Sequence, residues 1–252
     1  MTWKIKKLSN IEIKNPTLIE GLPGIGNVGK IAVDFIVDEL KAKKVFEISS
    51  YNIPHYAFIN EKSILELPKI EIYHKNVKNK DLLFLVGDTQ PLNEQSCYEF
   101  CDTILDTFEN KKPSEIITIG GIALPKIPKS PKIYCAGTHT KIINKYKSLN
   151  ACANLNGMVG PIIGVSGVLT GLAGRRNIPA ISLLVETFGH PNYFGIKGAK
   201  EVLKLLKKQF NLKIDPNKLN DQMQQIEQEI KNNREIKKII KQPKDRDMSY
   251  IG

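Results

Sequence analysis

Thr17-Leu18-Ile19-Glu20-Gly21-Leu22-Pro23-Gly24-Ile25-Gly26-Asn27-Val28-Gly29-Lys30 passes from an apolar run, through a glycine-rich turn, into a helical pattern. Thr17 to Glu20 reads as a strand. Ile31, Ala32, Phe35, Ile36 and Leu40 then recur at helical spacing from about Val28 to Lys41. A strand feeding a helix through a tight turn is the opening of a β-α unit, and its repetition decides the fold class.

The alternation continues outward from this turn. Val45 to Ile48 reads as the next strand, and residues 57–74 hold short alternating pieces around Pro68 that suit a hairpin beside the main sheet. Asp81 to Gly87 is a continuous apolar run ending in glycine, the pattern of a buried parallel strand. A helix is expected from about Leu92 to Phe108, followed by a strand from Glu115 to Ile119 with Gly120-Gly121 at its end. Short strands at 133–136 and 151–154 flank a helix near Lys141, and Ala180 to Val185 is the last strand. Ile196 to Phe210 repeats Ala199, Val202, Leu203, Leu206 and Phe210 on one helical face. The pattern predicts an α/β fold with a mostly parallel sheet and helices on both faces. A narrow stripe of Leu219, Met223, Ile226 and Ile230 between Pro216 and Lys241 suits a coiled-coil-like seam. The expected organisation is a core domain over 1–214, a C-terminal helix over 215–241 and a charged flexible tail over 242–252.

Gly24-Ile25-Gly26-Asn27-Val28-Gly29 satisfies Gly-x-Gly-x-x-Gly between strand and helix, the setting in which a dinucleotide pyrophosphate sits on a helix N-terminus. Two details weigh against that reading. Gly21-Leu22-Pro23 separates the strand from the first glycine, and Pro23 removes an amide from the approach. Glu47, at the distance of a ribose-binding acid, lies inside its strand rather than at its end. Gly21, Pro23, Gly24, Gly26 and Gly29 then form a close-packed turn or a loop offered to a partner protein. A second set, Gly160, Gly164, Gly167, Gly171 and Gly174, recurs at steps of four, three, four and three. On a helix over 163–176 these line one side, at about 1 kcal/mol per glycine relative to alanine. Close approach of another backbone, from the sheet or a neighbouring subunit, is the usual compensation.

The formal charge of +11 raises the question of nucleic acid. The lysines are scattered, however, and no basic run is interleaved with aromatics. Lys197, Lys200, Lys204, Lys207 and Lys208 mark the solvated face of one amphipathic helix, and the overall positive excess is expected to attract acidic partner surfaces. Cys97, Cys101, Cys135 and Cys152 include no Cys-x-x-Cys and have no histidine at zinc-motif spacing, so reduced thiols and no metal site are expected. No apolar run approaches the roughly 20 residues that span a bilayer, and the first residues lack a secretory pattern, so a cytoplasmic chain is expected. Asp88, Glu186 and His190, at or just beyond strand ends, are the pocket candidates. No Ser-His-Asp set, nucleophile elbow or Walker lysine accompanies them, so no catalytic residue and no cofactor is assigned. The alternative is a nucleotide- or nucleoside-binding enzyme that uses the Gly24–Gly29 loop.

Glu20 to Lys30, the glycine-rich segment Gly167-Val168-Leu169-Thr170-Gly171-Leu172-Ala173, the Ile178-Pro179 step and Leu183-Leu184-Val185-Glu186-Thr187 with Gly189 and Pro191 together resemble the proteasome assembly chaperone 2 family, with the archaeal branch nearest. The resemblance runs over roughly residues 15–240. It implies a phosphorylase/hydrolase-like α/β fold, a homo-oligomer or a complex with a paralogous chaperone, and ATP-independent assistance to assembly of the 20S proteasome core. Relatives of this type dock on proteasome α-subunits through a C-terminal tail with tyrosine next to last. Here Tyr250 stands third from the end. That departure argues against docking of the tail into an α-ring pocket in the family's manner; Met248, Tyr250, Ile251 and Gly252 are expected to form a short docking peptide of another kind, the alternatives being a disordered end or docking within the chain.

Overall fold

The computed structural model describes residues 2–60, 62–152 and 160–219. The residues up to Pro216 build one α/β unit, and those from Asn217 onward are a second. Most of the helix expected over 215–241, and all of the tail with Met248, Tyr250, Ile251 and Gly252, lie outside the described residues.

The first unit runs β1 (Trp3–Lys7), β2 (Thr17–Gly21), a 3-10 turn (Ile25–Asn27), α1 (Val28–Glu39), β3 (Lys43–Ser50), β4 (Phe58–Ile59), β5 (Leu65–Glu66) and β6 (Ile70–Val77). It continues with β7 (Lys80–Gly87), α2 (Glu94–Glu109), β8 (Glu115–Leu124), β9 (Ile133–Gly137), α3 (Thr140–Lys147), α4 (Val165–Arg175), β10 (Ala180–Phe188) and α5 (Ile196–Phe210). Eight strands form one sheet in the order β1-β3-β6-β7-β2-β8-β10-β9, and β4 and β5 pair separately. The expected separate hairpin is thus the β4–β5 pair alone, because β6 joins the main sheet between β3 and β7.

The mostly parallel sheet needs correction. β7, β2, β8 and β10 are mutually parallel, but β1, β3 and β6 on one flank and β9 on the other run antiparallel to their neighbours. The reversals have a local cause. Only Lys78 and Asn79 connect β6 to β7, both at left-handed φ (49° and 63°), as a two-residue hairpin requires. Such a connection leaves no length for a crossover helix. The segments 51–69 and 125–132 also carry no helix. Each stays at one edge of the sheet, so the strand after it must run back.

The helices cover both faces. α1 packs against β2, β7, β8 and α5, while α2 and α4 pack together on the opposite face. Alternation along the central strands supplies both sides: Leu18, Leu83, Leu85 and Ile116 join the core with Phe100, Cys101, Ile104 and Leu169. Ile19, Phe84 and Ile117, equally buried, point the other way toward α1. α2 is capped by Asn93, whose side chain accepts from Ser96 N at 2.9 Å while the Ser96 hydroxyl accepts from Asn93 N at 3.1 Å. Arg176 ties the end of α4 to Asp102 and Asp106 of α2.

Candidate functional site

The carboxyl ends of β7, β2, β8 and β10 meet at one edge of the sheet, where open α/β folds place ligands. Glu20 is the penultimate residue of β2, and its side chain is fully buried. Its carboxylate accepts hydrogen bonds from Leu22 N at 2.9 Å, Ser166 Oγ at 2.9 Å and the Ile119 amide. Burial outweighs these bonds and pushes the carboxyl up to about 7. Beneath it, the hydroxyls of Thr118, Thr170 and Ser182 contact one another at 2.8 to 3.1 Å, and Thr118 and Thr170 both donate to the Ser166 carbonyl. Gln90 braces the same region: its amide nitrogen donates to Pro23 O, and its carbonyl oxygen accepts from Val165 N at the start of α4. Glu20, Gln90 and Ser166 are the polar residues that sequence reasoning missed. They arrive from three distant segments, so no local motif announces them.

The glycine turn is filled by protein. Gly26 (φ 62°) lies against the Thr187 side chain, and its carbonyl accepts from Gly195 N at 2.7 Å. A Cβ on Gly29 would lie 2.5 Å from the Ile119 carbonyl oxygen, and one on Gly21 would lie 2.5 Å from that of Gly29. Val28 and Gly29, the first residues of α1, are buried, whereas Gly24 and Ile25 are exposed and line a cleft beside the turn. Gly24 faces open space, and Pro23 is half-buried. Glu47 is exposed in β3, opposite Lys6 and Glu71, with β6 and β7 between it and β2. The dinucleotide reading loses its acid, and Gly26 and Gly29 are taken up by packing against Thr187 and Ile119.

Asp88, Glu186 and His190 are not brought together. Asp88 accepts from Lys69 N at 3.0 Å and has Lys30 at 3.7 Å, fastening β6 to β7. Glu186 accepts from Lys132 N at 2.9 Å and Tyr134 Oη at 3.1 Å, tying the start of β9 to β10. His190 is exposed, stacks on Phe188 at 5.7 Å and accepts from Asn192 N at 3.2 Å. Among the described residues no group of three His, Cys, Asp or Glu is placed to hold a metal ion. Cys97, Cys101 and Cys135 are buried free thiols, and Cys152 is exposed.

The same edge instead holds a mainly apolar cleft of about 940 Å³, walled by residues such as Leu22, Ile25, Leu92, Tyr98, Ile162 and Ile163. Among the described residues, fourteen large hydrophobic side chains are exposed, and all but Leu8 lie in or just beyond the loops of this edge. An apolar concentration of that kind marks a surface that binds a protein, a membrane or a ligand. No described helix is long and apolar enough to cross a membrane.

The helix N-terminal to this edge carries the second glycine set. Gly164 (φ 86°) abuts Gln90, a Cβ on Gly167 would lie 2.0 Å from the Ile162 carbonyl oxygen, and one on Gly174 would lie 3.0 Å from Thr138 Cγ2. Gly171 meets nothing within 4 Å. Gly171→Ala is expected to raise the unfolding free energy by up to about 1 kcal/mol through helix propensity. Gly167→Ala is expected to lower it by about 1–3 kcal/mol through overpacking. Urea titration of the two variants checks the contrast.

Comparison with known proteins places the whole chain. A family model described as the PAC2 family matches residues 18–233. The uncharacterized protein MJ1210 of Methanocaldococcus jannaschii is 29% identical over 261 residues, covering 100% of this chain and 97% of that one. The crystal structure of Pyrococcus furiosus PbaB, described as an archaeal proteasome activator, is similar with a TM-score of 0.81 and 33% identity, covering 93% of this chain and 100% of PbaB. P. furiosus PbaA, described as an archaeal homolog of proteasome-assembly chaperone, gives a TM-score of 0.77 at 23% identity, covering 95% and 94% of the two chains. At that identity the likeness to PbaA speaks for the fold.

Proposed function

The chain belongs to the PAC2 family, and on that premise we propose that it assists the 20S proteasome as an assembly chaperone or activator-like adaptor. It works without ATP, binds core subunits by protein–protein contact and catalyses no reaction. The single observation that carries this reading is the 33% identity to PbaB across the full length of that protein. The apolar carboxyl edge supports it, because its side chains suit protein surfaces better than a small polar substrate. The packing of Gly26 on Thr187 and of Gly29 on Ile119 supports it too, since it gives those two glycines a structural reason. The proposed setting is the cytoplasm, and the proposed working form is a homo-oligomer or a complex with a paralogous chaperone.

Met248, Tyr250, Ile251 and Gly252 are the proposed docking peptide on the proteasome. Deleting residues 250–252 is expected to weaken binding to immobilised proteasome α-subunits at least tenfold, about 1.4 kcal/mol. Surface plasmon resonance with the full chain and the truncated one measures this, and equal affinities would end the tail's role. The enzyme alternative has its own readout. A nucleotide or dinucleotide ligand at 100 times its Kd should stabilise the fold by about 2.7 kcal/mol, and no such thermal shift is expected.

A further inference from the structure

Lysines recur along the whole sequence, but acidic residues do not. Between Glu115 and Glu186 there is no aspartate or glutamate, whereas six lysines and two arginines fall there. The chain carries 26 acidic residues in all, so this span stands apart in its sign of charge. It supplies β9, α3, α4 and most of β10.

The fold adds a second lysine row to the same flank. α3 and α5 both pack on β9 and β10. A Cβ on Gly137 would meet Ile142 and Ile143 of α3, and one on Gly198 of α5 would meet Val185. Ile181, the cross-strand partner of Gly137, stands four residues before Val185 and points to the same side of the sheet. The two helices therefore lie side by side on one face. Their outer surfaces carry Lys141 and Lys147 from α3 and Lys200, Lys204, Lys207 and Lys208 from α5; Lys200 is half-buried and the other five are exposed.

The carboxylates on these elements are already engaged. Glu201 is held by Lys204 at 2.7 Å, and buried Glu115 is held by Lys145 at 2.7 Å and by the Tyr146 hydroxyl at 3.2 Å. Among the described residues Lys141, Lys147, Lys200, Lys207 and Lys208 have no acidic partner. Lysines three and four apart on one helix repel one another. α5 keeps its row through the burial of Val202, Leu203, Leu206 and Phe210 on the inner side.

Three features select the partner. The exposed cations on these helices are all lysines, point charges on flexible stems, and not the planar arginine forks that grip phosphate in pairs. The aromatic residues Tyr146 and Phe210 are buried, so neither helix offers a platform for stacked bases. Among the described residues no large apolar side chain is exposed on either helix to enter a lipid surface. What this face offers is charge alone, complementary to a run of carboxylates. α5 has 15 residues, a length of about 22 Å. An extended segment of about seven residues spans it.

We propose that the α3–α5 face binds an acidic, Asp- and Glu-rich segment of a protein partner, laid along α5 in extended form. The surface is separate from the apolar cleft, and the inference stands independently of the proteasome reading.

Fluorescence anisotropy of a labelled oligoglutamate peptide, titrated with the full chain at low salt, tests it. Lys200→Gln/Lys207→Gln/Lys208→Gln is expected to bind at least about tenfold more weakly than wild type, with unchanged circular dichroism. Lys4→Gln/Lys6→Gln/Lys7→Gln removes the same charge from β1 and is expected to stay within about twofold of wild type. Wild-type affinity is expected to fall several-fold as salt rises from about 50 to about 200 mM. Equal losses in the two triple variants would show attraction to net charge alone and overturn the proposal. No peptide binding at low salt would do the same. So would tighter binding of a duplex DNA or a phosphatidylserine vesicle, at matched negative charge, that the α5 substitutions abolish.

Discussion

Gly29→Val is expected to lower the unfolding free energy by more than about 3 kcal/mol, at the upper end of what overpacking a filled site produces. Gly24→Ala, five residues earlier in the same motif, is expected to change it by less than about 0.5 kcal/mol. The difference is geometric. The first carbon added at Gly29 would meet the Ile119 carbonyl oxygen at 2.5 Å, and backbone inside a central strand cannot move aside. Valine adds two more methyls to that space. Gly24 has extended backbone (φ −164°), faces open space and accommodates a methyl without strain. Urea unfolding of the two variants tests how closely the turn is packed at each position. Comparable stability of Gly29→Val and wild type would contradict the packing role.

The second large effect is a pH dependence carried by Glu20. Its carboxyl is raised from the ordinary 4.5 to about 7, chiefly by burial. The folded chain therefore holds a proton that the unfolded chain releases between those values. That contribution to stability is fully present below about pH 4.5, declines as pH rises and is lost above about pH 7. Over the window it amounts to about 3 kcal/mol at 1.36 kcal/mol per unit. Other carboxyls blur the wild-type curve: burial raises Asp34 and Asp38, whereas hydrogen bonds lower Asp81. Glu20→Gln carries no proton to lose, so subtracting its curve from the wild-type curve cancels the others. The difference in unfolding free energy between wild type and Glu20→Gln is expected to change by about 3 kcal/mol from pH 5 to pH 8. Parallel curves would place the ionisation of Glu20 outside this account.

Where the sequence was a sound guide, apolar spacing carried the information. The runs at 17–20, 81–87 and 180–185 are buried on both faces and read as strands at once. The stripe from Ile196 to Phe210 coincides with α5. β1 escaped notice because Trp3-Lys4-Ile5-Lys6-Lys7 reads as a charged segment. Only Trp3 is buried there, held by its indole nitrogen on Ser96 O at 3.0 Å and by Phe100 at 4.7 Å. The antiparallel flanks escaped for another reason. Whether a strand reverses depends on where the preceding loop travels, and residues 51–69 and 125–132 carry no local mark of that path.

Gly120-Gly121 shows the same limit at the candidate site. The pair reads as the end of a strand, yet β8 continues to Leu124, because Gly121 gives passage to the Ile25 carbonyl while β10 still pairs alongside. The cleft is built from connections between elements, and its polar centre joins residues 20, 90 and 166 through tertiary contacts alone. Asp88 and Glu186 drew attention for standing at strand ends. Each is a structural acceptor, spent on backbone amides that hold neighbouring strands together.

Recognition of proteasome subunits as protein partners is the function we propose. A pull-down with the immobilised full-length chain against purified 20S α- and β-subunits, at low and high salt, tests it most directly. Retention of at least one subunit at both salt concentrations, without added nucleotide, is the predicted result, since apolar contact resists screening. Absence of both subunits at low salt would contradict the claim, as would retention that disappears at high salt, which would mark a merely electrostatic attraction to a basic chain.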